Sequence, residues 1–589
     1  MIVQHLIFKE FIPSHRFRYA AGLLTLILAS VLQLAIPKLL GHIVDVLKYQ
    51  WAGQSGVFWL TAGMLGLALV VFGLKYTWRL CLMGRARDLE CFLRAKLFAH
   101  LQTLPVKFYH DKKTGDLMAY AINDLNAIRQ AFAFGLVFLI DGIIVNLASL
   151  AVMARTIHPL LTLVAIAPLT AAIALVFALR LPLRKRYTAV QDSFATISEK
   201  IQENISGIRV VKAYVQEEAE VTKVERASRE RAAIQMDYVR LASLLEPGIR
   251  ICFGVSYALV LLIGSGYVKA GAISLGDFIA FNTYLAMLTR PVTNAGKIVE
   301  VWQRAMASMT RLNGIFAIQT DIVDDHPSHS EPRLAGSLEI RNLDFTYPGA
   351  NRRALKDISL RLEAGQTLAI IGKTGSGKTT LVNLLLRLYP VERGRIFLDG
   401  VDINEIPLEV LRDNIGCVPQ DNFLFSATIK QNIEFFKQAY TEEDVEEAAR
   451  LSSVYDNIVE FQDRFETMVG ERGITLSGGQ KQRISIARAI IKDPAILILD
   501  DSLSAVDTRT EEEILGNIKR ILKGRTGLII AHRISTIKHA DEIIVLDRGR
   551  IVERGTHRRL LALKGHYYQL YQAQLAEARL ETTAEETAL

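Results

Sequence analysis

The residues 372–380 read Gly-Lys-Thr-Gly-Ser-Gly-Lys-Thr-Thr, a composition suited to holding a polyphosphate. Gly372, Gly375 and Gly377 let successive backbone N–H groups turn inward, and Lys373, Thr374 and Ser376 complete the turn. Lys378 reaches the outer phosphates and the Thr379 hydroxyl binds Mg²⁺, with Thr380 beginning the next element. An apolar run, residues 367–371, precedes the stretch, and Leu381-Val382-Asn383-Leu384-Leu385 follows it. The order is strand, phosphate loop, helix, and the helix N-terminus adds a favourable dipole. A second apolar strand, Ala495-Ile496-Leu497-Ile498-Leu499, ends in Asp500 and Asp501. Asp500 there is placed to meet the same Mg²⁺, usually through water. Such a strand is a weak signal alone and a specific one beside a phosphate loop.

The chain that must position these residues is 589 residues long, too long for one core, so two or more domains are expected. Half its residues are hydrophobic and its mean hydropathy is +0.22, with the excess lying before residue 310. That asymmetry implies a membrane domain first and a soluble domain second. The formal net charge is +8, but the basic residues cluster beside apolar segments, as orientation signals do, and nucleic acid is not an expected partner. Cys81, Cys91, Cys252 and Cys417 lie far apart, in no disulfide or zinc pattern. The N-terminus shows no cleavable signal; residues 1–18 mix apolar and charged positions and fit a short amphipathic helix on the membrane surface.

Spanning a bilayer takes about 20 apolar residues, and six segments qualify: 19–44, 57–83, 132–157, 160–183, 241–268 and 275–306. The connections 84–131 and 184–240 are rich in Lys and Arg, which puts them and both termini in the cytoplasm. Their three- and four-residue spacing of apolar positions predicts helices continuing out of the membrane. Residues 108–117 and 204–208 interrupt those helices and are candidate tips that dock on the soluble domain. Few ionisable groups fall inside the spans; Asp141, Glu246, Arg250 and Arg290 are those singled out, with Asp141 a candidate for the substrate pathway or for a structural inter-helix bond. Arg290-Pro291 marks an expected kink. Residues 311–337 form a linker, 338–575 alternate strand and helix patterns as an α/β nucleotide-binding domain does, and 576–589 are expected to be a disordered tail.

Between the two halves of the ATP site lies Leu476-Ser477-Gly478-Gly479-Gln480, a helix start with anion-binding character. With this pentapeptide the sequence resembles an ABC transporter, and six membrane segments fused ahead of one nucleotide-binding domain resemble the family's exporter half-transporters. The resemblance implies ATP and Mg²⁺ as cofactors, ATPase activity coupled to transport, and a second half-transporter whose bound ATP is contacted by Ser477, Gly478, Gly479 and Gln480. It further implies that Tyr347 stacks on adenine, that Gln420 touches Mg²⁺, and that His532 senses the γ-phosphate. Ser504-Ala505-Val506-Asp507 and Gly470-Glu471-Arg472-Gly473 resemble the family's loops that cross between domains, and the regions of Gly115-Asp116 and Asn204 its coupling helices.

One position departs from the family pattern. The residue after the metal-binding aspartate is usually glutamate, the base that polarises the attacking water; here it is Asp501. Losing one methylene withdraws the carboxylate by roughly 1.5 Å, and a misplacement near 1 Å can slow a reaction on the order of a hundredfold. The chain therefore resembles the degenerate-site subunit of heterodimeric bacterial multidrug exporters, expected in the cytoplasmic membrane and acting on amphipathic drugs or lipids. A homodimeric lipid flippase, in which aspartate suffices, shares every motif. An ATP-gated channel or receptor is the alternative of another class.

Overall fold

The computed structural model describes residues 2–50, 53–324, 331–435, 437, 440–470, 473, 476–501, 516 and 520–576, without the side chains of 290–296. Its contacts divide the chain into two compact units, one formed by residues 1–103 and 112–319, the other by 104–111 and 320–589.

The first unit is helical because a chain crossing lipid must satisfy its backbone within each segment. Among the described residues five helices are long and apolar enough to cross a membrane: Arg16–Tyr49, Gln54–Thr103, Thr114–Ile157, Pro159–Ser206 and Glu217–Lys269. The sixth expected segment is occupied by Leu275–Met287 and Thr289–Phe316. The Arg290-Pro291 kink lies outside the described side chains. Pro159–Ser206 shows what sets the ends of these rods. The His158 ring accepts the Leu161 N–H, Pro159 occupies the first turn, and Gly207 closes the other end. At 1.5 Å per residue such a helix is about 70 Å long, more than twice the hydrocarbon thickness, so it must continue beyond the bilayer.

Small residues and buried polar bonds join these rods. Ser256 donates to the Ala165 carbonyl at 2.7 Å, tying Leu245–Lys269 to Pro159–Ser206. Asp45, on the helix Ala35–Tyr49, accepts from the Ser274 hydroxyl at 2.5 Å and from the Gly276 N–H at 2.7 Å. Away from the apolar stretches charge performs the same task. Glu90 binds Arg94 at 2.6 Å and Arg129 at 3.0 Å, while Asp124 holds Ser308 at 2.9 Å and the Arg311 Nε at 3.0 Å. Arg311, Leu312 and Ile315 continue the helix to Phe316, past the expected start of the linker at 311. Glu246 and Arg250 pair with each other, one turn apart, at 2.6 Å.

The second unit contains two sheets. Strands β1 (Leu338–Phe345), β2 (Leu355–Leu362), β4 (Ile396–Leu398) and β5 (Val401–Asp402) make an antiparallel sheet in the order β2-β1-β4-β5. The other sheet runs β10-β9-β3-β8-β7-β6, where β3 is Thr367–Ile371, β6 Ile415–Val418, β7 Ile496–Asp500, β8 Thr526–Ile530, β9 Glu542–Asp547 and β10 Arg550–Gly555. Its five strands from β9 to β6 are parallel, and β10 is an antiparallel edge. Every residue of β7 and β8 is buried, which explains their unbroken apolar character. The short helix Val106–Asp111 belongs to this unit, with His110 Nδ1 3.4 Å from the Tyr389 hydroxyl. All four cysteines are free thiols, and burial pushes Cys417 on β6 up to about 12.

The closest approach in the first unit yields a stability test. A Cβ added at Gly276 would lie 2.0 Å from the Gly41 carbonyl oxygen and 2.5 Å from the Asp45 carboxylate, whereas Gly63 faces open space. Backbone cannot swing aside, so Gly276→Ala is expected to cost roughly 1–3 kcal/mol. It should lower the melting temperature in detergent, with Gly63→Ala as the control that leaves it unmoved. Equal melting of the two variants would refute the packing argument.

Candidate nucleotide site

Parallel strands end on one edge, so β3, β8 and β7, adjacent in that order, deliver their following residues to the same place. The registers are Ile370 with Ile530 and Ile530 with Asp500, which puts the three strand ends level. The phosphate loop leaves β3, His532 follows β8, and Asp501 follows β7.

Gly375 and Gly377 hold positive φ angles of 78° and 108°, which side chains rarely adopt. A Cβ at Gly372 would come 2.2 Å from the Leu546 carbonyl oxygen, so that position tolerates no side chain. Lys373, Thr374 and Ser376 carry the loop to the helix Lys378–Leu385. Lys378 is 7% exposed, and its Nζ donates to the Gly372 carbonyl at 2.8 Å and the Lys373 carbonyl at 3.2 Å. Burial lowers its pKa, against the opposing pull of Asp500 and Asp501. The Ser376 hydroxyl is buried without a hydrogen-bond partner among the described residues. Such an orphan is costly, and a phosphate oxygen within the loop is the kind of acceptor that would relieve it.

Asp500 ends β7 at 3% exposure, hydrogen-bonded to the Thr379 side chain. Burial raises its pKa; the Thr379 bond and the Lys378 charge oppose the rise, and the Asp501 charge adds to it. A bound divalent cation would reverse this balance. Among the described residues no group of three His, Cys, Asp or Glu side chains could hold a metal unaided. Mg²⁺ commonly binds through one or two protein oxygens together with substrate phosphates, and Thr379 and Asp500 are a pair of residues that could serve in that way. Gln420, two residues past β6, is exposed.

Asp501 has φ of 49°, its N–H donates to the Ile530 carbonyl at 2.8 Å, and its carboxylate lies 4.0 Å from His532 Nε2. His532 is the more exposed of the two, at 42% against 14%. Tyr347 donates its hydroxyl to Thr380 at 3.0 Å and packs edge-on to Phe345 and Tyr389, beside the loop. Ser477 and Gln480 cap the helix Gly478–Ile490 reciprocally: the Ser477 hydroxyl accepts the Gln480 N–H at 3.3 Å and the Gln480 side chain accepts the Ser477 N–H at 3.0 Å. Gly478 and Gly479 thus open a fixed helix N-terminus that can receive an anion. Glu471, Arg472 and 504–507 lie outside the described residues.

Sequence reasoning missed Gln574. This side chain, on the helical stretch 566–576, donates Nε2 to the His532 carbonyl at 2.6 Å and accepts the Ile534 N–H on Oε1 at 2.9 Å. It clamps the backbone on both sides of the loop that carries His532. No periodicity announces this, because the two partners are forty residues apart.

The fold and this edge define the class of protein. Residues 19–292 match the ABC transporter transmembrane region and residues 355–504 the ABC transporter domain. A solved bacterial Atm1-family ABC exporter with ATP bound superposes with a TM-score of 0.78, at 28% identity over 95% of this chain and 99% of that one. The probable multidrug resistance ABC transporter ATP-binding/permease protein YheI of Bacillus subtilis (strain 168) is 39% identical over 96% of both chains. An ATP-dependent lipid A-core flippase of Syntrophus aciditrophicus (strain SB) is 33% identical over 98% of this chain and 95% of its own.

The chain belongs to the ABC transporter family. It is an exporter half-transporter, an ATPase coupled to transport that binds ATP and works with a second half-transporter.

The Gln574 clamp is testable without turnover. Gln574→Ala removes both hydrogen bonds, and the Ile534 amide is expected to exchange with solvent roughly tenfold faster. Unaltered exchange at Ile534 would show that the loop is held by other means.

Proposed function

We propose that the chain is one half of a heterodimeric exporter and that its own ATP site hydrolyses slowly. The observation that carries this reading is Asp501 at the end of β7, where the family's pattern has glutamate. Its backbone is fixed by the Ile530 hydrogen bond, so the shorter side chain is not offset by an advance of the main chain. Tyr347 packs on adenine, the loop residues 372–380 hold the phosphates, and Lys378 offsets their charge. Thr379 and Asp500, with Gln420 as the family resemblance implies, would hold Mg²⁺, which would supply charge neutralisation to the phosphates. His532 holds the γ-phosphate, and Asp501 orients the attacking water from too far away. The intact Ser477–Gln480 cap completes a competent site on the partner's nucleotide. ATP binding closes the soluble domains, and the regions of Gly115-Asp116 and Asn204 pass that closure to the membrane helices. Both termini are cytoplasmic, in a bacterial cytoplasmic membrane, and the cargo is an amphipathic drug or a lipid.

Retention of His532 and Gln420, together with the flippase relative, favours a second reading: a homodimeric exporter or flippase in which aspartate suffices. Steady-state ATPase of the purified chain in lipid separates the two. Under the heterodimer reading the chain alone is slow, and Asp501→Glu raises its rate on the order of ten- to a hundredfold. A partner chain with glutamate at the matching position should raise it too. Brisk hydrolysis by the unaltered chain would establish the homodimer instead.

A further inference from the structure

Within the first unit a cavity of about 620 Å³ opens between helices Arg16–Gln33, Gln54–Trp78, Leu136–Val152 and Leu275–Met287. Trp78, Phe134 and Phe138 contribute to its apolar wall, and three ionisable side chains reach it: Lys75, Arg79 and Asp141. Lys75 and Arg79 stand one turn apart on the same helical face. The Lys75 ammonium donates to the Gln33 side-chain oxygen at 2.6 Å, a neutral partner. The Arg79 guanidinium lies 5.7 Å from the Trp78 ring centroid. Among the described residues neither cation has a carboxylate within ion-pair distance. Asp141 instead accepts the Ser30 hydroxyl at 2.6 Å.

Cations inside an apolar span are costly unless they face a cavity or a partner. The ordinary explanation is anchoring, in which a long side chain near a helix end stretches to the interface. It fits poorly here. Lys75 turns to Gln33, about 25 Å along its helix from Arg16, and Leu80-Cys81-Leu82-Met83 continue the apolar run beyond Arg79. The recess therefore holds two cations against one anion, and that anion is already hydrogen-bonded.

We propose that this cavity binds the anionic head of an amphiphile. Lys75 and Arg79 take a phosphate or carboxylate head, Arg79 through its planar fork and Lys75 as a point charge. The apolar part of the molecule lies against Trp78, Phe134 and Phe138. Asp141 reduces the excess positive charge to one without cancelling it, which still disfavours cationic amphiphiles. The proposal rests on the exporter assignment and adds the charge class of the cargo. The same head chemistry is carried by membrane lipids and by soluble amphiphiles.

Native mass spectrometry of the full chain in neutral detergent tests this, with phosphatidic acid, dodecyl phosphate, phosphatidylcholine and dodecyltrimethylammonium offered at equal concentration. The anionic probes are expected to be retained roughly tenfold over the other two, and Lys75→Gln with Arg79→Gln to abolish the preference. Retention of phosphatidic acid alone would identify a lipid source, and of dodecyl phosphate a soluble one. Equal or greater retention of the cationic probe, or a preference that survives the double variant, would overturn the proposal. Should the double variant fail to fold, Asp141→Asn decides: it should strengthen retention of the anions several-fold, and weaker retention would reject the site. Binding is read without ATP turnover, so failure here leaves the reading of Asp501 untouched.

Discussion

Three parallel strands ending level are the constraint from which the nucleotide site follows. β3, β8 and β7 are held in register by backbone hydrogen bonds, with every residue of β7 and β8 buried, and their ends place the phosphate loop, His532 and the Asp500-Asp501 pair at one edge. No side chain needs to reach far. Lys378 and Thr379 lie in the first turn of the helix that leaves the loop, and Asp500 meets Thr379 because the strand ends there. The distortions are local consequences of that edge: positive φ at Gly375 and Gly377, a bare Cα at Gly372 and the left-handed turn at Asp501.

The membrane half obeys a different constraint. Long helices satisfy their own backbones, so what remains is how their sides meet. Near Asp45 they meet through glycine, with Gly41 and Gly276 close enough that a carboxylate caps the next helix directly. Farther along the rods the buried acids Glu90 and Asp124 gather arginines from several helices. Breaking a buried pair by removing one member leaves a charge without compensation, which gives these clusters a large say in helix register.

Much of this was legible in the sequence because its signals are local. The phosphate loop, the strand ahead of it and the serine-glycine-glycine helix start are contiguous stretches, and composition alone separated an apolar half from an α/β half. What was not legible depends on residues distant in sequence. Gln574 reaches the His532 loop only because the last described helix folds back, and Asp141 could be set against Ser30 only once two helices were packed. Lys75 and Arg79 stand inside the apolar segment 57–83, but neither was among the intramembrane ionisable groups singled out there. Only Gln33 on a neighbouring helix turns Lys75 into part of a cavity. The interruption expected over 108–117 falls at 112–113, and a second one lies at 104–105, where Pro105 cannot continue the Gly84–Thr103 hydrogen-bond ladder.

At position 501 local backbone preference and chemistry pull in opposite directions. The strand end requires a left-handed residue, and among non-glycine residues aspartate enters that region more readily than most, through its short polar side chain. Asp357, Asp399 and Asp493 occupy the same conformation elsewhere in this unit, where no chemistry is asked of them. Glutamate would fit this backbone less well and reach farther. Under the heterodimer proposed above, aspartate beside an intact phosphate loop keeps this backbone relaxed and leaves ATP held, while the shorter side chain gives up reach toward the attacking water.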